Sequence, residues 1–472
     1  MSKKLFLVPF VLLFVGAPCF AAVGPFDNNL DIGSPRGIGT VVDQGFVWKT
    51  DHLAQQYLFT AGGADIWGTA DQFHYAYKTI TGDIRVTASY DWVAASNDWA
   101  KVEVMLREST AAGSIFYAEA GRKGASYAND YGGFQYRTAT NAGAGGVDAW
   151  KPTGSAGPKA IAIQRVTIMP GVIGLESLVD WGLGAGWQII NFTVNPNLPN
   201  QVLAGVAVTS HDNNNLGQAK VYDVKYDTKP TLLTQFATVT ADKAITACPT
   251  QIPGFKIRAI KAVFTTGWGA AEMTKLLDWG CTGPVCTGTG MPIPGAQAGQ
   301  RVSQFVNLHD TGGRGSFSAD NGYPDESFPG VDPFQSPTTD PAAGDDDDSF
   351  AAEVTACIKL TAGTHIFGVS HDDDAFIEIG GVLVGNMTGW DGGSTQNFIF
   401  NVAKEGFYPL RVRYLEGGGG AQLELSEIVA GGTRVLLGDV AHGGSPVFVP
   451  EPATIALLGL GGLALVRSRR KS

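Results

Sequence analysis

Apolar residues in this chain recur at every second position in short runs, and glycine, asparagine and aspartate separate the runs. The run Val102-Glu-Val-Met-Leu-Arg107 puts Val102, Val104 and Leu106 on one side of an extended backbone, because successive strand side chains point to opposite faces. Residues 84–90, 161–168, 202–208 and 221–226 read the same way. No window of about 12 residues between 23 and 228 carries the apolar stripe of a helix. Glycine supplies 63 of the 472 residues and charged residues only 16%, a balance suited to β-rich, loop-rich domains. The pattern predicts an all-β chain: two antiparallel sandwiches or jelly rolls in tandem.

The two ends read differently. Lys3 and Lys4 precede an apolar stretch over 5–15, and small residues follow up to Ala21 and Ala22. That is a signal peptide over 1–21, a short apolar helix cut after Ala21. Acylation at Cys19 is the alternative, and Pro18 fits it poorly. At the other end Pro450, Glu451 and Pro452 precede an apolar run over 453–466, and Arg467, Arg469, Arg470 and Lys471 follow. A spanning helix needs roughly 20 apolar residues, so this is a short transmembrane helix whose basic end stays in the cytoplasm. An ordinary anchor is one reading. The triplet, the short helix and the basic end, in that order, resemble a PEP-CTERM sorting tail over 449–472. The resemblance implies an exosortase-type transpeptidase as partner. It also implies export with transient membrane anchoring, then residence on the cell surface or in the extracellular matrix.

Net charge is −11, which argues against nucleic acid as a partner, since phosphate binding needs clustered Lys and Arg. Removal of the signal leaves Cys248, Cys281, Cys286 and Cys357. An even count in an exported chain favours disulfides. Four cysteines allow three pairings, of which Cys281–Cys286 with Cys248–Cys357 is preferred, because the first closes a tight loop. A zinc site is the alternative, although paired Cys-x-x-Cys hooks are missing.

The first domain is placed at 22–228. Three strings, 63–74, 97–109 and 208–212 with the asparagines after it, resemble the concanavalin-A-like (laminin-G-like) sandwiches of secreted bacterial proteins, among them "regulation of enolase" domains. Sugar binding is what that resemblance implies. Glucanases on this fold resemble one another in a Glu-x-Asp-x-Glu strand, which this chain lacks, so no catalysis is expected. Glu103 and Glu108 are five apart, on opposite faces of a straight strand; Glu103 is expected to face solvent and Glu108 to begin a turn. Trp67, Trp92, Trp99, Tyr131 and Tyr136 are candidates for stacking on sugar rings or for the core. His74 and His211 stand alone in sequence and are read as structural.

The second domain is placed at 245–430. Residues 257–264 read as a strand and 270–277 as a short helix. Between 315 and 358 there are ten carboxylates and no Lys or Arg; the run 345–348 reads as a solvated acidic loop or a weak cation site. Residues 361–370 form a turn and strand. Asp372, Asp373 and Asp374 follow, then a strand over 375–379, a Gly380-Gly381 turn and a strand over 382–384, which together read as a hairpin. In 408–414, Leu410, Val412 and Tyr414 point inward and both arginines outward. Residues 421–425 form the last strand, and a linker is expected over 431–448.

That order is similar to the protective-antigen-type β-sandwich. In its carbohydrate-binding branch, seen in yeast flocculins and adhesins, paired aspartates bind calcium, and calcium meets sugar hydroxyls. The resemblance implies a Ca²⁺ site at Asp372 and Asp373, with Asp374 where the family often has glycine. Asn386 and Asp391, in the next loop, are candidates for further oxygens, though sequence does not place them. Three adjacent carboxylates repel one another, and a hard cation with roughly six to eight oxygen ligands relieves that. Alternatively the aspartates cap the strand. The chain therefore reads as an exported, exosortase-sorted protein that binds an extracellular glycan. The other readings are a structural matrix protein and a non-catalytic accessory module of glycan degradation.

Overall fold

The computed structural model describes residues 22–450 apart from 50, 95–96, 123–130, 262–276, 278–296, 310–316, 318–325, 331–349, 388–394 and 417–420. The chain divides into two compact units, one running to Ile168 and continuing over Val172–Thr234, the other holding Met169–Gly171 and the residues from Gln235 onward. Both are all-β. Among the described residues no helix is long and apolar enough to cross a membrane. The signal stretch, the short helix expected over 270–277 (Leu277 excepted), the acidic run and the apolar tail lie outside the described residues.

The first unit contains β1 (Asn28–Ile32), β2 (Thr40–Lys49), β3 (His52–Gly63), β4 (Phe73–Thr81), β5 (Ile84–Ala94), β6 (Lys101–Arg107) and β7 (Phe116–Arg122). It continues with β8 (Tyr131–Arg137), β9 (Gly145–Trp150), β10 (Ala160–Met169), β11 (Val172–Asp180), β12 (Trp187–Val194), β13 (Gln201–Thr209) and β14 (Asp212–Asp227). One sheet runs β1-β4-β13-β6-β7-β8-β9 and the other β12-β11-β10-β5-β14-β3-β2. Val102, Val104 and Leu106 share a buried cluster with Phe59, Ile163 and Leu175 of the opposite sheet, so the two sheets close as a sandwich. The period-two alternation thus places its apolar set where the sequence indicates.

The other side of β6 is the surprise. Every residue of β6 and of β7 is buried, whereas one face of an antiparallel sheet commonly meets water. Met105, on the side of β6 away from the sandwich core, belongs to a second apolar cluster with Tyr75, Phe116 and Ala118. Beside it, Asp71 is fully buried between two fully buried arginines, 2.8 Å from Arg107 Nη1 and 2.7 Å from Arg137 Nη2. The guanidinium groups also donate to the carbonyls of Ser109, Ser114 and Gly68 at 2.9–3.0 Å, which satisfies charges that burial would otherwise penalise. This clamp ties the loop before β4 onto the sheet.

The second unit contains β15 (Ala237–Val239), β16 (Phe255–Lys261), β17 (Gln297–Ser303), β18 (Asn307–His309), β19 (Phe350–Leu360), β20 (Gly363–Asp372) and β21 (Asp374–Ile379). It ends with β22 (Val382–Met387), β23 (Thr395–Val402), β24 (Gly406–Glu416), β25 (Gln422–Ile428), β26 (Arg434–Leu436) and β27 (Val447–Phe448). Its sheets run β15-β23-β20-β25-β18, with β26 on β25, and β17-β16-β19-β24-β21-β22, with β27 on β19. Leu410, Val412, Tyr414, Leu423 and Leu425 enter one core with Val369 and Phe400. Arg411 and Arg413 turn away from it to Glu353 (2.6 Å) and Glu378 (2.8 Å). The β21–β22 hairpin turns through Gly380 and Gly381 at φ +59° and +77°, the left-handed pair a tight two-residue turn requires.

The stretch over 431–448, expected as a linker, belongs to this sandwich. It adds β26 and β27, and Leu437 and Val447 are buried in the core. β25 is accordingly not the last strand. Cys248 and Cys357 are joined by a disulfide with Cα atoms 5.7 Å apart, closing a sequence separation of 109. Cys281 and Cys286 lie outside the described residues.

Candidate functional site

The outer face of the first sheet can be read as parallel rows of side chains crossing the strands. One row runs Ala207–Glu103–Ala120–Gly133–Asp148 over β13, β6, β7, β8 and β9. On one side Thr209, Lys101 and Arg122 stand in register on β13, β6 and β7, with Trp150 in the same line on β9, and on the other side runs Gly205–Met105–Ala118–Gln135–Gly146. In the middle row only Glu103 and Asp148 carry more than a methyl group. Ala207, Glu103 and Ala120 are wholly buried, so this part of the row is covered.

Large aromatic side chains stand near these rows. Trp67, Trp99 and Trp150 remain 41%, 54% and 52% exposed. A Cβ added at Gly146 would meet the Trp67 ring at 3.5 Å, so the indole lies directly over that strand. Lys101 Nζ is 5.6 Å from the Trp67 centroid. The Arg122 guanidinium is 3.9 Å from the Trp99 centroid and 5.5 Å from that of Trp150. Lys101 Nζ also donates to Asp65 at 2.6 Å and to the Ile66 carbonyl at 3.3 Å. His211 Nε2 lies 3.1 Å from the other Asp65 oxygen. Burial opposes the Asp65 charge, but the His211 bond and Lys101 outweigh it and hold the carboxyl below its usual range.

Glu103 is wholly buried, and neither carboxylate oxygen has a hydrogen-bond partner. Burial pushes its carboxyl up to about 8; Lys101 and Arg107 pull the other way, while Asp65 and Asp71 add to the rise. Burial thus favours the neutral acid over the carboxylate. The expectation that Glu103 faces solvent is overturned: it does point away from the sandwich core, but that side of β6 is itself covered. The amide oxygen of Gln135, in the neighbouring row, is likewise buried and unpartnered.

Of the aromatics considered from sequence, Trp67 and Trp99 reach this face, whereas Trp92 and Tyr136 pack against the core. Trp150, Arg122, Lys101 and Gln135 went unread, because cross-strand neighbours leave no local signal. Both histidines have carboxylate partners, His74 with Asp31 at 2.9 Å and His211 with Asp65.

In the second unit, Asp372 ends β20, Asp373 occupies the bend and Asp374 begins β21; the Asp372–Asp373 peptide bond is cis. Asp372 is buried and its carbonyl meets the Tyr414 hydroxyl. That hydroxyl also bonds the Glu416 carboxylate at 2.6 Å. His371 Nδ1 donates to the Asp373 carbonyl at 2.6 Å. Directly across from Asp372 stands Gln422, whose side-chain oxygen and nitrogen are both buried without partners. Asn386 is exposed on β22, across from Phe376, and Asp391 lies outside the described residues. Among the described residues no group of three His, Cys, Asp or Glu side chains is arranged to hold a metal ion. Pro450 ends the described chain, with Glu451 and Pro452 outside it.

Residues 448–471 match the PEP-CTERM protein-sorting motif. No curated protein matches the chain. Among solved structures it is similar to a functionally unknown protein from Saccharomyces cerevisiae (11% identity, 41% of this chain and 97% of that one, TM-score 0.29). It is also similar to the PA14 domain of the MpAFP antifreeze protein (17% identity, 44% and 97%, TM-score 0.28). A third is the Epithelial Adhesin 9 A domain from Candida glabrata in complex with Galb1-3GlcNAc (9% identity, 46% and 95%, TM-score 0.26).

Proposed function

We propose that this chain is an exported surface or matrix protein, sorted through its C-terminal motif by an exosortase-type transpeptidase, whose work is to bind carbohydrate. One observation carries the binding reading: three exposed tryptophans, Trp67, Trp99 and Trp150, gather around the cationic side chains of Lys101 and Arg122. Exposed aromatics clustered on one face mark an interaction site, and a site with apolar walls and a few convergent polar groups suits a ligand with both kinds of surface. A sugar ring is such a ligand, with C–H faces for the indoles and hydroxyls for polar groups beside them. The proposed role is binding without catalysis. Asp65, close to these tryptophans through Lys101, is held by Lys101 and His211.

The finer proposal is a calcium ion at the acidic turn of the second sandwich. Asp372, Asp373 and Asp374 would supply carboxylate oxygens, and the unpartnered Gln422 amide a neutral one, a donor set of the hard kind calcium takes. The bonds from Tyr414 and His371 to the Asp372 and Asp373 carbonyls favour the simpler role of a fixed turn. One experiment addresses both proposals: electrophoresis of the full chain through gels holding soluble polysaccharides, with and without chelator. Retardation should fall in Trp99→Ala and Trp150→Ala. Chelator, or the pair Asp372→Asn and Asp373→Asn, should reduce it if calcium takes part. A chain retarded by no polysaccharide would end the carbohydrate reading.

A further inference from the structure

We propose that the second sandwich is an autoinhibitory clamp on its own sorting tail: it holds β27, the strand that leads into the motif, and the transpeptidase receives the tail only when β27 is released. This rests on the sorting reading and adds when the tail becomes available. The motif match begins at residue 448 and so overlaps β27. Val447 stands across from Ile358 on β19, and Phe448 across from Cys357. On the other side of β27 lies the segment before β16. Gly254 N–H donates to the Val447 carbonyl at 3.2 Å, and Val449 N–H donates to the Ile252 carbonyl at 2.8 Å. The Thr250 hydroxyl donates to the Val449 carbonyl. Val447 and Val449 are 3% and 8% exposed. Cys248, two residues before Thr250, is bonded to Cys357. The disulfide therefore ties together the two walls between which β27 lies.

Distance makes this contact matter. Three residues, Pro450, Glu451 and Pro452, separate Val449 from the apolar run that begins at Ala453. Fully extended, three residues span only about 10 Å. A partner that takes an extended peptide uses its main-chain hydrogen bonds and its alternate side chains. In the folded chain the sandwich already uses the main-chain groups of Val447 and Val449 and the buried Val447 side chain. The same stretch cannot serve both partners at once, so docking of β27 and capture of the motif compete. Release of β27 is a local event. Its ladder with β19 covers two residues, and peripheral pieces of this size open at less free energy than global unfolding requires. The rate of processing then scales with the fraction of chains in which β27 is free.

The test is a pulse-chase of the full chain in a host that carries an exosortase-type transpeptidase, with intact mass scoring the loss of Arg467–Lys471. Thr250→Val removes the bond to the Val449 carbonyl and keeps the shape of the side chain. It should be processed about fivefold faster than the wild type, which corresponds to roughly 1 kcal/mol. A second chain carries about ten Gly and Ser residues between Val449 and Pro450, a flexible reach of roughly 17 Å. It should also be processed faster than the wild type, and adding Thr250→Val to it should change nothing, because the motif is then reached with β27 docked. Hydrogen exchange on unprocessed chain reads the docking itself: the Val449 amide should be protected in the wild type and exchange about fivefold faster in Thr250→Val. Equal processing of the wild type, Thr250→Val and the spacer chain would overturn the clamp and leave the sorting reading standing. A Thr250→Val effect that persisted in the spacer chain would also overturn the clamp, since it would report stability rather than reach. Absence of processing in every chain, the spacer chain included, would overturn both.

Discussion

The guanidinium of Arg122 lies 3.9 Å from the centroid of the Trp99 ring. Arg122 is 4% exposed and Trp99 54%, so the arginine backs an indole whose other surface meets water. A cation over an aromatic face is worth about 0.5–2 kcal/mol, more when desolvated. Arg122→Met keeps the apolar stem and removes the charge. It should lower the stability of the first unit by about 1 kcal/mol and weaken polysaccharide binding several-fold. Denaturant unfolding and affinity electrophoresis would read both; unchanged binding would show that Trp99 needs no such support.

Asp71 holds Arg107 and Arg137 in a site from which all three are excluded from water. Removing one partner of a buried ion pair costs about 3–5 kcal/mol, because the remaining charge is stranded. Asp71→Asn should therefore cut deeply into the stability of the first unit, seen as an earlier transition in urea. A change below about 1 kcal/mol would mean that the carbonyls around the arginines suffice.

Burial raises the Glu427 carboxyl to about 7, opposed by its bonds from Ser445. Its folded pKa thus lies above the ordinary carboxylate value near 4.3. Between those two pH values the native state keeps a proton the unfolded chain has lost, so stability falls as pH rises from about 4.5 to about 7. Below that window both states are protonated and the group contributes no slope. Glu427→Gln should flatten this part of the pH profile of the second unit, by a few kcal/mol at most. Melting temperatures at pH 4.5, 6 and 7.5 would show it, and an identical slope in the variant would refute the assignment.

The Cys248–Cys357 disulfide closes a separation of 109 residues. Closing a loop of about 100 residues stabilises by about 4.7 kcal/mol in the chain-entropy model, so Cys357→Ser should lower the second unit's melting temperature markedly. A non-reducing peptide map should recover Cys248 linked to Cys357. Either of them linked to Cys281 or Cys286 would contradict the fold.

The sorting motif over 448–471 leads to the expectation that mature extracellular protein lacks Arg467–Lys471. Intact-mass measurement on secreted material tests this directly, and recovery of those residues would contradict processing.

The alternation in 102–107 and 408–414 was enough to assign strands and their inward faces, since period two is a property of the backbone itself. The glycine pair at 380–381 specified its turn for the same local reason. The sorting tail was legible because its three parts are contiguous. The linker reading of 431–448 failed because short strands acquire meaning only beside β25 and β19. Glu103 was misjudged because alternation tells which side a residue faces, but not whether that side is covered. Only the tertiary structure lays Lys101, Arg122 and Trp150 in one row and Glu103 between two alanines in the next. Those neighbours come from different strands, and their pairing is fixed by register across the sheet, which no local stretch of sequence encodes.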